Sequence, residues 1–484
     1  MRLEVSPAPA YGRVGAAPAS IDSESTRKLV WGPVATALIV LAWAATPVAG
    51  FRVSLLILTI MGFAAIFAGL RYPAIGLLGI TILCVLDSPS RVYLLTGGLL
   101  RWNTFNYCLL MVMALYLPFL LRLRDPHSLS LMALVALLTI EILVSPDIGE
   151  GIQNVLGIVI TFGLLIYFVR AGHDRRMWFW MGVCGGTLGA LGGLMFFLDR
   201  INLPVINENA WAALPLTALF SVMFALPSAA EMRRGQPTLL MLASANLAWI
   251  FLSGSRGTLA IGACALIAIL VGMRGVRQRT IALSAAALIG LVAAAHFGKL
   301  QDRAIHRLTK LFTSEYGLAG DYSLGSRTSG RSDLAIGGWY IFEEHPFGVG
   351  TGGFPVAWSE LGHHYSLVYG RGQEKSAHSG WVKTLVENGL PGITLLIVYV
   401  FSFAAVGLRQ RSWALWRLGM LTSAMLAAAL LSNEFQTKAL WFLAAGATAF
   451  LQRDRLSIAM YGVRADSPEE PHEDALQYFA AKYR

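Results

Sequence analysis

Charge is what this sequence has least of. Only 14% of its 484 residues are Asp, Glu, Lys or Arg, against about a quarter in an ordinary soluble domain. The shortage is also one-sided, with 28 acidic residues against 38 basic ones and a formal net charge of +10. Cysteine is scarce too. Cys84, Cys108, Cys184 and Cys264 sit singly in apolar blocks, with no CxxC pair and no Cys/His zinc spacing, so neither a disulfide framework nor a structural metal is indicated. The first 28 residues have no apolar h-region. They are polar and rich in Pro, Ala and Ser, and read as a disordered cytoplasmic tail rather than a cleaved signal peptide.

What the chain has in excess is apolar length. It is 56% hydrophobic, with a mean hydropathy of +0.59. The apolar residues form blocks of about 17–22, the length that crosses a ~30 Å hydrocarbon core. The spans expected are 31–48, 53–70, 72–87, 105–121, 128–145, 152–169, 178–198, 210–227, 238–253, 257–273, 280–297, 390–408, 413–431 and 438–451. The sequence therefore predicts an all-α polytopic membrane protein of about 12–14 transmembrane helices.

The short loops alternate in charge. Arg27/Lys28, Arg71, Arg122/Arg124, Arg170/Arg175/Arg176, Arg233/Arg234, Arg274/Arg277/Arg279, Arg409/Arg411/Arg417 and Arg453/Arg455 mark one side. TPVAGFR, SPDIGEG, DRINLPVINENA, SGSRG and SNEFQTK mark the Lys/Arg-poor side. The positive-inside rule makes the first set and both termini cytoplasmic. The expected division is a tail (1–28), spans (29–297), one long extracytoplasmic loop with short helices (298–389), C-terminal spans (390–451) and a cytoplasmic tail (452–484).

Within the long loop, GKLQDRAIHRLTKLF (298–312) is a basic amphipathic helix suited to anionic headgroups, although a solvated extension of the preceding span fits the same pattern. A Gly/Ser-rich connector follows. A second helix is expected from Ser329 or Ser332 to Pro346. SAHSGWVKTLVENGLPG then suggests an interfacial helix ending at a Gly389–Pro391–Gly392 turn. Between these lies GVGTGG (348–353), a literal match to the dinucleotide pattern G-x-G-x-x-G. No strand precedes it, Pro346 and Phe347 break the strand–turn–helix context, and it faces away from cytosolic nucleotides, so that reading is rejected. Its glycines are expected either to let backbone approach a bulky substrate or to supply positive φ at a helix–loop joint.

Three pieces occur in fixed order. LSGSRGTLA (252–260) puts an SRG tripeptide at the outer end of a span. SGRSDLAIGGWYIFEEHPFGVGTGGF (329–354) has an Arg-led helix followed by H-P-hydrophobic-G-x-G-x-G-x-F. His378-Ser379, nine residues, then Gly389-Leu390-Pro391-Gly392 is similar to the H-[NSQ]-x9-G-x-x-G motif of O-antigen ligases. Together they resemble the O-antigen ligase/polymerase (Wzy-type) superfamily of bacterial membrane glycosyltransferases, over roughly residues 250–395. The resemblance implies a GT-C-like enzyme of the bacterial inner membrane. It would use a polyprenyl(undecaprenyl)-pyrophosphate-linked glycan at the outer face, in lipopolysaccharide or exopolysaccharide synthesis, with no metal or other cofactor. The acceptor would be a glycan or lipid A-core; no nucleic acid is implied.

The resemblance assigns Arg256 and Arg331 to the donor diphosphate, where the guanidinium fork pairs with phosphate oxygens and stays charged. Interfacial snorkelling for Arg256, and plain solvent exposure for Arg331, are the alternatives. It assigns His378 as general base, since an imidazole accepts a hydroxyl proton near neutral pH; placing the acceptor is the other role open to it. Glu387 is a supporting residue that either orients His378 or caps a helix. His345 reads as a helix-end histidine, with a supporting role as the alternative. His363 and His364 are acceptor-side candidates. Glu141 and His296 lie near the outer ends of their spans and Asn246 deeper; such polar groups are functional candidates, and interhelical hydrogen bonding accounts equally well for Asn246. Trp339, Trp358, Trp381 and Tyr365 are either sugar-stacking rings or interfacial anchors, the latter being commoner. Transport of lipid-linked sugars and protein O-glycosylation are the competing functions. The absence of a convincing internal repeat argues against the transporter.

Overall fold

The computed structural model describes residues 63–86, 104–171, 175–197, 208–229, 235–252, 256–272, 331–361, 376–410, 412–431 and 438–461. The expected spans 31–48 and 280–297, the basic helix at 298–312 with its connector, His296, His363, His364, Tyr365, the N-terminal tail and residues 462–484 lie outside the described residues. The first part of the expected C-terminal tail is instead a helix, Arg453–Tyr461, with Leu456, Ser457 and Met460 buried.

The protein is an all-α membrane protein, with no strand among the described residues. Its helices are α1 (Pro73–Leu86), α2 (Thr104–Leu115), α3 (Leu117–Leu120), α4 (Pro126–Glu141), α5 (Ile148–Ala171), α6 (Arg175–Phe197), α7 (Glu208–Ala229), α8 (Gly235–Leu252), α9 (Arg256–Gly272), α10 (Arg331–Glu344), α11 (Phe354–Glu360), α12 (Gly380–Leu408), α13 (Trp413–Leu430), α14 (Lys438–Leu451) and α15 (Arg453–Tyr461). Three of these, α4 with its 3-10 extension to Val144, α5 and α12, are long and apolar enough to cross a membrane. Others are shorter apolar helices.

The expected spans from 128–145 to 257–273, and from 390–408 to 438–451, each overlie a helix. The span expected at 105–121 divides at Tyr116, where Pro118 lies in the first turn of α3. A turn at 69–72 separates helical residues 63–68 from α1. Arg170, at the end of α5, donates to the Gly69 and Leu70 carbonyls at 2.8 and 2.6 Å. An arginine that marks topology in the sequence thus also satisfies the open carbonyls of a neighbouring turn. The α4 start is equally legible: Asp125 accepts the Ser128 N–H at 2.9 Å, and Pro126 occupies the first turn.

Lipid offers helices little hydrophobic reason to associate, so close packing of small residues takes over. On α6, a Cβ added to Gly182, Gly185 or Gly189 would meet Ala225, Ser221 or Ala218 of α7, a seam with helical spacing. Asn246 of α8 donates to the Gly186 carbonyl at 2.9 Å and to Leu242 in its own helix at 2.8 Å. The interhelical hydrogen bond therefore accounts for this buried amide. Farther along, Phe168, Trp178, Phe224, Phe442 and Phe450 join α5, α6, α7 and α14 in one aromatic core.

A smaller core lies apart. Leu334 and Ile341 of α10, Phe354, Ala357 and Trp358 of α11, and Ala377 and Val386 pack together. It fixes the segment 331–361 onto the first part of α12. The Gly182–Gly189 seam generates a prediction. Gly189→Val would drive its side chain into Ala218 and Asn246, and overpacking of this kind costs about 1–3 kcal/mol. The variant should melt at a lower temperature than wild type in detergent, whereas Gly149→Ala, whose Cβ would meet only the exposed Asp147 side chain at 3.3 Å, should lose much less.

Candidate functional site

α12 is two helical pieces joined at Gly389, whose φ of 57° and ψ of −152° break the helix. Two residues cause this. Gly389 alone tolerates the angle, because a Cβ there would strike the backbone of Pro346 and Phe347. Pro391 has no N–H, so the Glu387 carbonyl four residues earlier has no helical partner. The expected break at Gly389–Pro391–Gly392 is thus a kink within one element, preceded by the helical piece 380–388.

The glycine turn fills the resulting gap in the hydrogen-bond ladder. Gly350 N–H donates to the Glu387 carbonyl at 2.9 Å and Val349 N–H to the Val386 carbonyl at 3.0 Å, while Leu390 N–H donates to the Pro346 carbonyl at 3.0 Å. Gly348, Gly350 and Gly352 all have φ of 93–94°. Added Cβ atoms would strike the backbone of Glu387 and Asn388, of Ser145 and Val144, and of Asp147 and Gly151, respectively. The glycines therefore make the positive-φ joint and let protein backbone approach. The space that a bulky substrate was expected to use is occupied by the chain itself.

Side chains reinforce this junction. Asn388 donates to the Glu141 carboxylate and to Thr351 Oγ1 at 2.7 Å, and Thr351 also bonds Glu141. Glu387 is 1% exposed, and its Oε1 accepts the N–H of Phe354, first residue of α11, at 3.2 Å. Lys383, one turn earlier and also 1% exposed, puts Nζ 3.0 Å from Glu150 Oε1 on α5 and 3.6 Å from Glu387 Oε1. Sequence reasoning singled out Glu141 and Glu387 but missed Lys383, Glu150, Thr351 and Asn388. Only the i,i+4 spacing of Lys383 and Glu387 was visible beforehand.

His378 stands at the opposite end of the 380–388 piece. It is exposed, with φ of 51°, the only non-glycine positive φ among the described residues. A left-handed histidine is uncommon, costs about 1–3 kcal/mol, and persists when its surroundings over-determine it. Those surroundings are firm. Ser379 caps α12 by accepting the Val382 N–H, and it donates to the Leu430 carbonyl at 3.1 Å. Trp381 Nε1 donates to the Ala427 carbonyl at 2.9 Å. Both bonds hold the start of α12 against the end of α13.

α10 runs parallel to the 380–388 piece, start beside start and end beside end. Gly338 lies against Val382 and Val386, and the chain after α10 pairs with residues 386–390. Leu334 shares the smaller core with Ala377. Arg331, the first residue of α10, therefore opens that helix at the end where His378 precedes α12. Arg256 likewise opens α9. The side chains of both arginines lie outside the described set. Glu387 is nine residues beyond His378, about 13 Å of helical rise, and its carboxylate caps α11 instead of lying beside the histidine. His345 is exposed just past the last turn of α10; its N–H donates to the Ile341 carbonyl and its carbonyl accepts from Gly348.

Of the aromatic candidates, Trp358 is fully buried and stacked on Phe354, so it belongs to the core and not to a sugar surface. Trp339 is exposed and donates to Glu343. The junction yields a direct test. Gly350→Ala must hold a φ open only to glycine while pressing on Ser145, a strain of roughly 1–2 kcal/mol before the collision is counted. It should lower the melting temperature markedly, and a variant as stable as wild type would contradict the packing described.

No curated protein matches the chain. Residues 238–397 match the family model described as O-antigen ligase. The matched segment begins inside α8, ends just beyond the α12 kink, and includes Arg256, Arg331, His378 and Glu387. Over residues 238–397 this membrane protein thus carries a segment that matches the O-antigen ligase family.

Proposed function

We propose that the protein is a membrane glycosyltransferase that moves a glycan from a polyprenyl-pyrophosphate donor to a sugar hydroxyl, as an O-antigen ligase or a polymerase. One observation carries this reading: within the O-antigen ligase segment, an exposed, strained His378 sits at the end of the α10–α12 pair where Arg331 also begins. His378 accepts the proton of the acceptor hydroxyl. The freed oxygen attacks the anomeric carbon as the bond from that carbon to the diphosphate oxygen breaks, inverting the configuration. Arg256 and Arg331 stabilise the charge that develops on the departing diphosphate.

The reaction is proposed to occur on the extracytoplasmic side of the inner membrane, with both termini cytoplasmic. The turns at 142–148 and 346–353 and the end of α13 near Leu430 meet around the first piece of α12. The short loops among them belong to the Lys/Arg-poor set, which supports that orientation.

Two experiments test the proposal. In a purified assay with lipid-linked donor and sugar acceptor, His378→Ala should lower kcat by roughly 10²–10⁴-fold, the contribution typical of a general base. Undiminished transfer would sink the mechanism and return the transporter reading to the front. Product length separates ligase from polymerase, since a polymerase extends single repeats and a ligase passes on an existing chain. For sidedness, a cysteine placed at the exposed Phe347 should react with a membrane-impermeant thiol reagent on intact spheroplasts. A cysteine at Arg455 should react only after lysis.

A further inference from the structure

The first piece of α12 carries one buried cation, Lys383, set between two carboxylates from different parts of the chain. Glu387 lies on its own helix at 3.6 Å and is as buried as the lysine. Glu150 lies on α5 at 3.0 Å, 25% exposed, and is 233 residues away in sequence. Glu150 falls outside the matched segment 238–397, whereas Lys383 and Glu387 fall inside it. The ion pairs therefore tie the ligase segment to the earlier half of the bundle, at the level where the 145–151 turn meets the glycines.

A buried ion pair is weak as a source of net stability, because desolvation offsets much of the attraction. Its better-attested use is to fix register, and the setting here fits that use. The 380–388 piece is separated from the rest of α12 by the Gly389 kink, so its rotation about its own axis is set by contacts with its neighbours, those of Ser379 and Trp381 with α13 and of Lys383 with α5. Lys383 and Thr384 point into the protein, and His378 precedes them by little more than one turn. A twist of the piece that let Lys383 leave Glu150 would swing His378 relative to the start of α10.

We infer that the Glu150–Lys383–Glu387 ion pairs are a positioning device for the transfer reaction, with Lys383 locking the orientation of the 380–388 piece and, through it, His378. Lys383 touches no substrate in this scheme. The inference rests on the proposed role of His378 and adds α5 to the machinery that the reaction depends on.

The test uses the full chain in lipid nanodiscs, with polyprenyl-pyrophosphate-linked glycan extracted from the source membrane as varied donor and the matching acceptor in excess. Glu150→Gln is the first variant, because its partly exposed side chain makes folding safe. It should keep the wild-type melting temperature and donor KM while losing about tenfold in kcat, the scale of a modest misplacement. Lys383→Arg, which keeps the charge, should stay within about threefold of wild type, as fits rescue by a conserved cation. Lys383→Met/Glu387→Gln removes the buried charges together, so it should fold and remain slow.

Wild-type kcat in Glu150→Gln, or in a folded double variant, would overturn the inference, because the lysine would then only neutralise a buried carboxylate. A raised donor KM at unchanged kcat would overturn it as well, since that is the mark of a binding contact. These outcomes stand apart from the broader reading. If the wild type itself transfers no glycan the proposed function fails, whereas transfer by wild type and by Glu150→Gln at equal kcat removes only the positioning role.

Discussion

A helix that breaks inside a membrane protein leaves backbone groups that must find partners, because hydrocarbon supplies none. In this protein the break at Gly389 imposes that requirement, and the arrangement around the candidate site follows from it. Pro391 denies the Glu387 carbonyl its helical partner, and the kink takes Leu390 N–H away from Val386. Residues 346–350 supply replacements for all of these at 2.9–3.0 Å. To come so close, that segment needs glycine at three positions with φ near 94°. The glycine turn and the kink are therefore one feature, each incomplete without the other.

Once they are joined, the rest of the site has few places to go. The turn that closes the kink also caps α10 through the His345 carbonyl and opens α11, whose first N–H is taken by Glu387. α10, whose end is fixed at the kink, must then lie parallel to the 380–388 piece, which brings its first residue, Arg331, toward the end that carries His378. The strained backbone of His378 is held by Ser379 and Trp381 on α13. The short helices of the candidate site are thus braced against α4, α5 and α13 of the bundle, and preorganisation of this sort is what group transfer requires of a protein.

Much of this was readable from particular residues. Apolar blocks gave the helices from 128 to 273 and from 390 to 451 to within a few residues, because burial in lipid leaves a long unbroken pattern. Pro346 and Pro391 gave the end of α10 and the kink, because a missing N–H acts locally. The ordered SRG, HPFGVG and HS motifs gave the family. What failed was any reading that needed to know what lay opposite. GVGTGG looks the same whether its glycines admit a phosphate, a glycan or the backbone of Ser145. Trp358 looks like an anchor or a sugar platform until Phe354 and Ala357 are seen to enclose it.

The sequence by itself determined that this is a helical membrane protein, where α12 breaks, and that its later half resembles the O-antigen ligase family, because those properties depend on composition, local backbone chemistry and short ordered motifs. Only the tertiary structure decided what the glycines approach, that Glu387 serves the start of α11, and that Lys383 meets a carboxylate 233 residues away. Those are contacts between distant segments, and a contact is fixed by how helices pack rather than by any residue's own neighbours in the chain.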